Sequence, residues 1–438
     1  MCSVMARFIY SLVFCLLLPV ILVRLMIRAR KAPAYGERWL ERFGIFKVKQ
    51  ARAVGSKPLK KDAIWFHTVS VGEFIAAVPL IEQVMAAYPN RPIVITTTTP
   101  TGSDQVKKRF ANELGKRLTH VYLPYDLPWF LSAFLRRVKP KLLIILETEL
   151  WPNLIHSCNQ YGTRVLVANA RLSEKSAKGY GKLAKLSAQM LANIDCLAVQ
   201  NATDGQRFLD LGLKASSMEV TGSIKFDLTI KDALIAQGQA WREQWGAQRK
   251  VAIVASTHQG EDEIALAAFQ TLLSTAPSAL LVMVPRHPER FDDVAQLIEA
   301  QGLQLARRSQ ASQLNSQTQV LLVDTMGELM EFLAASDVCI MGGSYVENGG
   351  HNPLEPAALS VPILMGPSQF NFLLICQQLE RAGGLQTVAA EQLAASLTQW
   401  LQDDELRTQK GSEAKQVVDA NRGAKQKVFE LIARQLAD

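Results

Sequence analysis

Three glutamates in the first half of the chain stand where carboxylates can act as acids or bases. Glu73 lies in the opening turn of a predicted helix whose apolar residues recur at helical spacing. Glu147 and Glu149 follow a strongly apolar predicted strand, and residues two apart on a strand share one face. A helix dipole lowers the pKa of a carboxyl in the first turn, so burial must offset it before Glu73 can act as a general base. The alternatives are a simple dipole partner at Glu73 and, for the pair, the two acids of a retaining glycosidase.

A glycine-rich loop from Gly342 to Glu355 predicts an anion site in the second half. It follows an apolar predicted strand, carries four glycines and leads into a helix predicted to begin near Asn352. Glycines let backbone amides approach an anion, and a helix N-terminus favours negative charge. Glu355 is placed to accept hydrogen bonds from ribose hydroxyls. The loop is neither GxGxxG nor a P-loop, and a flexible turn with Pro353 at a helix start is the alternative.

Three further segments place cations or free amides after predicted strands. Arg286 and His287 come directly after one strand, and arginine binds phosphate bidentately. Met326, Gly327 and Glu328 are predicted to open another helix, where amides lack partners. Lys225 could steady a leaving phosphate. A surface arginine and a solvated hinge lysine are the alternatives.

Metal ligands and cofactor motifs are poorly represented. The six histidines show no HExxH or Cys/His spacing, and no DxD triplet occurs. We therefore expect metal-independent chemistry without a cofactor. The six cysteines are scattered without CxxC spacing, which favours a reducing compartment.

Length and charge limit the class of protein. A chain of 438 residues is too long for one compact core, so two domains are expected. The net charge of +8 attracts anions such as acidic lipid or a charged sugar. Basic residues do not cluster with aromatic stacking platforms, and we expect no nucleic-acid partner.

An uncharged apolar run from Phe8 to Val23 predicts a membrane anchor. Its length approaches the ~20 residues that cross a bilayer core. Arg28, Arg30 and Lys31 follow the run, and the positive-inside rule then places the body in the cytoplasm. A cleaved signal is disfavoured by the charges among nearby small residues, and a helix lying in the interface remains open.

Alternating strand-like and helical segments predict the organisation of the body. They indicate an α/β protein with two Rossmann-like, doubly wound domains, whose polar loops would line one cleft if the domains face each other. The predicted ranges are an anchor at 1–31, an acceptor domain at 32–224, a linker at 225–249, a donor domain at 250–388 and C-terminal helices at 389–438.

Six blocks in order resemble the bacterial 3-deoxy-D-manno-octulosonic acid (Kdo) transferase family. They read SVGEF, ETELWPNL, NARLS, TGSIKFD, VPRHPERF and GGSYVENGGHNPLEPA. The resemblance extends from the predicted anchor through the second domain. It implies a GT-B fold and metal-free transfer of Kdo from CMP-Kdo to a lipid A precursor at the cytoplasmic face of the inner membrane.

The resemblance also implies roles for individual residues. Glu73 would be the base, and Glu147 and Lys225 would support the transition state. The residues expected to hold CMP are Pro285, Arg286, Met326, Gly327, Glu328, Asn352, Pro353, Leu354 and Glu355.

The sequence is also compatible with two other functions. One is another GT-B enzyme that uses a UDP-sugar, such as a lipid-linked N-acetylglucosamine transferase or a nucleotide-sugar epimerase, because fold alone does not fix function. The other is a membrane-tethered nucleotide-binding regulator without turnover.

Overall fold

The computed structural model describes residues 2–46, 62–310 and 314–437. Residues 1, 47–61, 311–313 and 438 fall within the predicted domain ranges but lie outside the described residues. The chain divides into two compact units: Met1–Ile224 together with Arg422–Asp438, and Lys225–Asn421.

The first unit contains a parallel seven-stranded sheet with strand order β3-β2-β1-β4-β5-β6-β7. The strands are β1 Ala63–His67, β2 Ile93–Thr97, β3 Leu118–Tyr122, β4 Pro140–Leu146, β5 Arg164–Ala170, β6 Cys196–Val199 and β7 Met218–Val220. The helices are α1 Cys2–Lys31, α2 Val71–Ala87, α3 Pro100–Arg109, α4 Pro128–Val138, α5 Pro152–Gln160, α6 Glu174–Gly181, α7 Ala184–Leu191 and α8 Ala202–Asp210.

The second unit contains another parallel seven-stranded sheet, with strand order β10-β11-β9-β8-β12-β13-β14. Its strands are β8 Val251–Thr257, β9 Leu280–Pro285, β10 Leu305–Arg307, β11 Val320–Leu322, β12 Val338–Met341, β13 Ile363–Met365 and β14 Leu385–Thr387. Its helices are α9 Asp232–Trp245, α10 Glu261–Leu273, α11 Phe291–Ala300, α12 Leu329–Ala334, α13 Leu354–Ala358, α14 Leu373–Ala382, α15 Ala390–Gln402 and α16 Asp404–Ala420. The last helix, α17 Ala424–Ala437, returns to the first unit and packs on α2, β4 and β5.

Both sheets are covered on their two faces, which explains why their central strands are continuously apolar. On β1, the neighbouring residues Trp65 and Phe66 are fully buried in different hydrophobic clusters, because successive side chains point to opposite faces. On β8, Ile253 and Val254 divide between two clusters in the same way. Each sheet therefore forms the middle layer of its unit.

The predicted fold class is confirmed, and the domain ranges stay a prediction. The sequence did not indicate β7, β10 and β14, which are short edge strands whose residues are mostly only partly buried and therefore form no apolar run. The range predicted as a linker contains α9, which packs on α12 by stacking Trp245 against Phe332 with ring centroids 6.1 Å apart.

Helix α1 has the length and composition to cross a membrane, with a mean hydropathy of 2.5 over its most apolar part. It contacts α5 and α7 in the first unit. Asn153 Nδ2 donates a hydrogen bond of 2.9 Å to Ser11 Oγ, and the backbone N–H of Asn153 donates one of 3.0 Å to Asp126. The apolar helix is thus fastened to the start of α5, directly after the ETELW segment.

Candidate functional site

In each sheet the strand order reverses at one point, between β1 and β4 in the first unit and between β8 and β12 in the second. Ligands of doubly wound sheets bind beyond the carboxyl ends of the strands at such a point. The loop after β1 leads to Glu73, and the loop after β4 begins with Glu147. The loop after β8 begins with His258, and the loop after β12 begins with Gly342. Glu73, Glu147 and the start of the Gly342–Glu355 loop therefore lie at the two expected positions, whereas Arg286 follows β9 and Met326 to Glu328 follow β11.

Glu73 is held by the N-terminus of α2. Ser70 caps the helix, and its hydroxyl donates to Glu73 Oε1 at 2.7 Å. The backbone N–H of Val69 donates to Glu73 Oε2 at 2.8 Å, and that of Ser70 donates to Oε1 at 3.2 Å. Burial nevertheless raises the pKa of Glu73, and the negative charge of Glu147 raises it further, although the hydrogen bonds act in the opposite direction. The carboxylate is thus both fixed in position and made more basic.

Glu147 begins a turn, so it does not continue β4 as a strand would. Its backbone is left-handed, with φ of 57°, and its N–H donates to the carbonyl of Ala168 at 2.9 Å. Arg171 Nε lies 3.1 Å from Glu147 Oε2. The strand ends at Leu146, and the two-residue alternation that would place Glu147 and Glu149 on one strand face therefore does not apply.

Glu149 is a third carboxylate of this group. Burial raises its pKa to about 7, and the charges of Glu73 and Glu147 contribute to the rise. A carboxyl with a pKa near 7 can take up or release a proton at neutral pH. The sequence showed the spacing of Glu147 and Glu149 but not this property, which depends on burial and on Glu73, a neighbour brought close by folding.

The first part of the Gly342–Glu355 loop is occupied by a side chain of the protein. The N–H groups of Gly343, Ser344 and Tyr345 donate to the carboxylate of Glu261 at 2.7, 2.9 and 2.9 Å. Glu261 is only 2% exposed and also accepts from the N–H of His258 at 2.9 Å. These amides form an anion nest, as the glycines predicted, but the anion is internal. A donor phosphate must therefore use other groups.

The second part of the loop contains the predicted nucleotide residues. Helix α13 begins at Leu354, later than the predicted start near Asn352. Asn352 Nδ2 donates to Glu355 Oε1 at 3.2 Å. Burial raises the pKa of Glu355, while this hydrogen bond and the charge of Arg286 oppose the rise. Glu355 is therefore oriented by Asn352 and electrostatically coupled to Arg286.

Arg286 is exposed directly after β9 and lies near a group of histidines. The backbone N–H of Arg286 donates to the carbonyl of Thr257 at 3.0 Å, and this hydrogen bond fixes the start of the loop. The Nε2 atoms of His258 and His351 lie 2.8 Å apart, and the ring of His287 lies 5.3 Å from that of His258. Burial lowers the pKa of His351 to about 4, with contributions from the charges of His258 and Arg286. Sequence spacing gave no indication of this histidine group.

The other two predicted segments of the second unit have clear contacts. Met326 is 59% exposed, and Gly327 has a φ of 95°. Glu328 precedes α12, accepts a hydrogen bond from Thr325 and lies 2.8 Å from Arg308. Lys225 lies over the ring of Phe372, with Nζ 5.6 Å from its centroid. No group of three potential metal ligands occurs in the described ranges.

Comparison with solved structures supports the fold assignment. UDP-GlcNAc 2-epimerase from Neisseria meningitidis is 14% identical with a TM-score of 0.56, covering 85% of this chain and 100% of that one. A glycosyltransferase from Rickettsia africae is 12% identical with a TM-score of 0.55, covering 86% and 99%. At these identities the likeness concerns the fold alone.

Sequence comparison identifies the class and then the family. Residues 37–228 match the 3-deoxy-D-manno-octulosonic-acid transferase (kdotransferase) model, and residues 240–417 match the model of group 1 glycosyl transferases. With its two doubly wound units, the chain is a glycosyltransferase. The 3-deoxy-D-manno-octulosonic acid transferase of Haemophilus influenzae is 40% identical over 98% of both chains. That of Bordetella pertussis is 36% identical over 84% of this chain and 85% of its own. The chain belongs to the Kdo transferase family.

Proposed function

We propose that the protein transfers Kdo from CMP-Kdo to a lipid A precursor, lipid IVA, with inversion at the anomeric carbon and without a metal ion. The observation that carries the proposal is the half-buried, hydrogen-bonded Glu73 at the strand-order reversal of a chain that is 40% identical to a Kdo transferase. A base at this position would activate the acceptor.

In the proposed reaction Glu73 is the base and CMP is the leaving group. Glu73 takes the proton of an acceptor hydroxyl as the hydroxyl oxygen attacks the anomeric carbon of Kdo. The bond from that carbon to the phosphate oxygen breaks, and CMP leaves with the electron pair. The raised pKa of Glu73 favours this step, because a more basic carboxylate accepts a proton more readily.

Charge that develops on the leaving phosphate needs compensation. Arg286 is an exposed cation after β9 and suits this role, and Lys225 is assigned to the same transition state as a second cation. Glu147 is also assigned to the transition state, but its negative charge would not compensate that of the phosphate. The residues proposed to hold CMP are Pro285, Arg286, Met326, Gly327, Glu328, Asn352, Pro353, Leu354 and Glu355. Because Glu261 occupies the neighbouring nest, the side-chain cation has the larger part in binding phosphate.

The proposed location is the cytoplasmic side of the inner membrane, where α1 holds the body close to its lipid substrate. The apolar helix and the three basic residues of its last turn support this arrangement, since cationic side chains bind anionic headgroups. The acceptor and the anionic leaflet are thus the proposed partners.

A nucleotide-binding measurement tests the donor class. CMP is expected to bind more tightly than UDP in calorimetric titration, and Arg286→Ala is expected to weaken CMP binding by roughly tenfold to a hundredfold, as the loss of a charged hydrogen bond does. Arg381→Ala, at the end of α14, is the matched control and should leave binding unchanged. Tighter binding of UDP, or an unchanged CMP affinity in Arg286→Ala, would contradict the donor assignment.

A further inference from the structure

An apolar slot of about 320 Å³ lies in the first unit beside α1. Its volume falls within the range of roughly 300–1,000 Å³ that is usual for small-molecule sites. We call it the α1–α7 slot. The residues that define it are Tyr10 on α1, Thr148 to Trp151 after β4, Pro152 at the start of α5, Tyr180 on α6, Leu183 before α7, and Leu186, Ser187 and Met190 on α7.

One end of the slot reaches the carboxylate group described above. Glu149 lines the slot, and the charges of Glu73 and Glu147 both act on Glu149. The remaining wall is largely apolar, with Leu186 and Met190 buried and Leu183 60% exposed. An occupant of the slot would therefore place its apolar part along α7 and a polar part near the proposed base.

The helix that forms one wall of the slot also presents apolar side chains outward. Tyr10 lines the slot, whereas Phe8, Ile9 and Leu12 on the same helix are half or more exposed. These exposed apolar side chains are stabilised by transfer into hydrocarbon. The slot thus shares its α1 wall with the part of the chain that is suited to a lipid phase.

We propose that the α1–α7 slot receives an acyl chain of the lipid acceptor, with the sugar hydroxyls of the acceptor towards Glu73. The proposal rests on the Kdo-transfer function proposed above and assigns a subsite to the acceptor. The acceptor is the expected occupant, because the slot adjoins both Glu149 of the proposed catalytic group and the apolar helix α1.

The test compares the lipid A precursor with the same disaccharide after removal of its acyl chains. In Leu183→Glu, the KM for the acylated acceptor is expected to rise about tenfold, the change that losing roughly two buried methylene groups produces. The kcat/KM for the deacylated disaccharide and the affinity for CMP should not change. Leu40→Glu is the matched control, because Leu40 is 62% exposed in the same unit and lies outside the slot.

Four results would overturn the assignment of the slot to an acyl chain of the acceptor, and each points to a different explanation. An unchanged KM for the acylated acceptor, or an equal loss on both acceptors, would exclude an acyl-chain subsite. Weaker binding to phospholipid vesicles with an unchanged acceptor KM would assign the slot to bulk phospholipid. If the unmodified enzyme transferred Kdo to neither acceptor, the proposed function itself would fail.

Discussion

Glu73 shows how opposing effects set the properties of one carboxylate. Its place at the helix N-terminus and its three hydrogen bonds to Val69 and Ser70 favour the charged form, whereas burial and the charge of Glu147 disfavour it. Burial prevails, so the pKa lies above the ordinary value of a glutamic acid. The helix start was predictable from the apolar spacing, but the balance was not, because it depends on residues far away in sequence.

Replacing Glu73 by Gln is expected to abolish transfer while leaving CMP affinity unchanged, since the amide cannot accept the proton. Glutamine is tolerated at this position of a capping box, so the helix should persist. Glu82→Gln on the same helix is the control, because Glu82 pairs with Arg109 at the surface. Product formation and calorimetry measure the two effects. Turnover of Glu73→Gln within a few-fold of the unmodified enzyme would assign the base elsewhere.

The fall of kcat at low pH also depends on these individual carboxylates. Because the active form of Glu73 is deprotonated and its folded-state pKa is raised, kcat should fall as pH decreases through that raised value. The charge of Glu73 raises the pKa of Glu149 to about 7, so Glu149 becomes neutral while Glu73 is still deprotonated. Glu149→Gln, which is neutral at every pH, should therefore leave the acid limb in place, as measured by kcat from pH 5 to 8. A limb at lower pH in Glu149→Gln would show that a charged Glu149 raises the pKa of Glu73.

At the scale of elements, the loop after β12 is organised by a carboxylate from α10. The amide of Gly343 joins those of Ser344 and Tyr345 in the nest, whereas that of Gly342 donates to the carbonyl of Ala255, and the sequence contained no signal for what the nest binds. Glu261 follows a different strand and approaches the loop only in the folded unit. The composition of the loop therefore did not predict that a carboxylate of the protein, Glu261, binds its amides.

Glu261→Gln is expected to destabilise the second unit by about 2–3 kcal/mol, because hydrogen bonds to a charged group are exchanged for contacts with an amide that also carries donors. The loss is measured by chemical denaturation. Glu263→Gln, an exposed position in the first turn of the same helix, should change stability by less than about 0.5 kcal/mol. Equal effects of the two substitutions would show that the nest does not depend on the carboxylate.

At the scale of the whole molecule, two repeated α/β patterns predicted two doubly wound units, and both are present. Long apolar strands such as β4 and β8 were evident because both faces of each sheet are buried. The edge strands β7, β10 and β14 were not, since they are short and their residues are mostly only partly buried. The contact of α1 with α5 through Ser11 and Asn153 was also outside the reach of periodicity, because it joins residues 142 positions apart.

Metal-free Kdo transfer is tested most directly by mass spectrometry of lipid A precursor after incubation with the enzyme and CMP-Kdo in the presence of EDTA. We expect a lipid heavier by one or more Kdo residues, together with release of CMP. The same incubation with Glu73→Gln should leave the lipid mass unchanged. An unmodified lipid with the active enzyme, or transfer that occurs only when a divalent ion is restored, would rule out the proposed reaction.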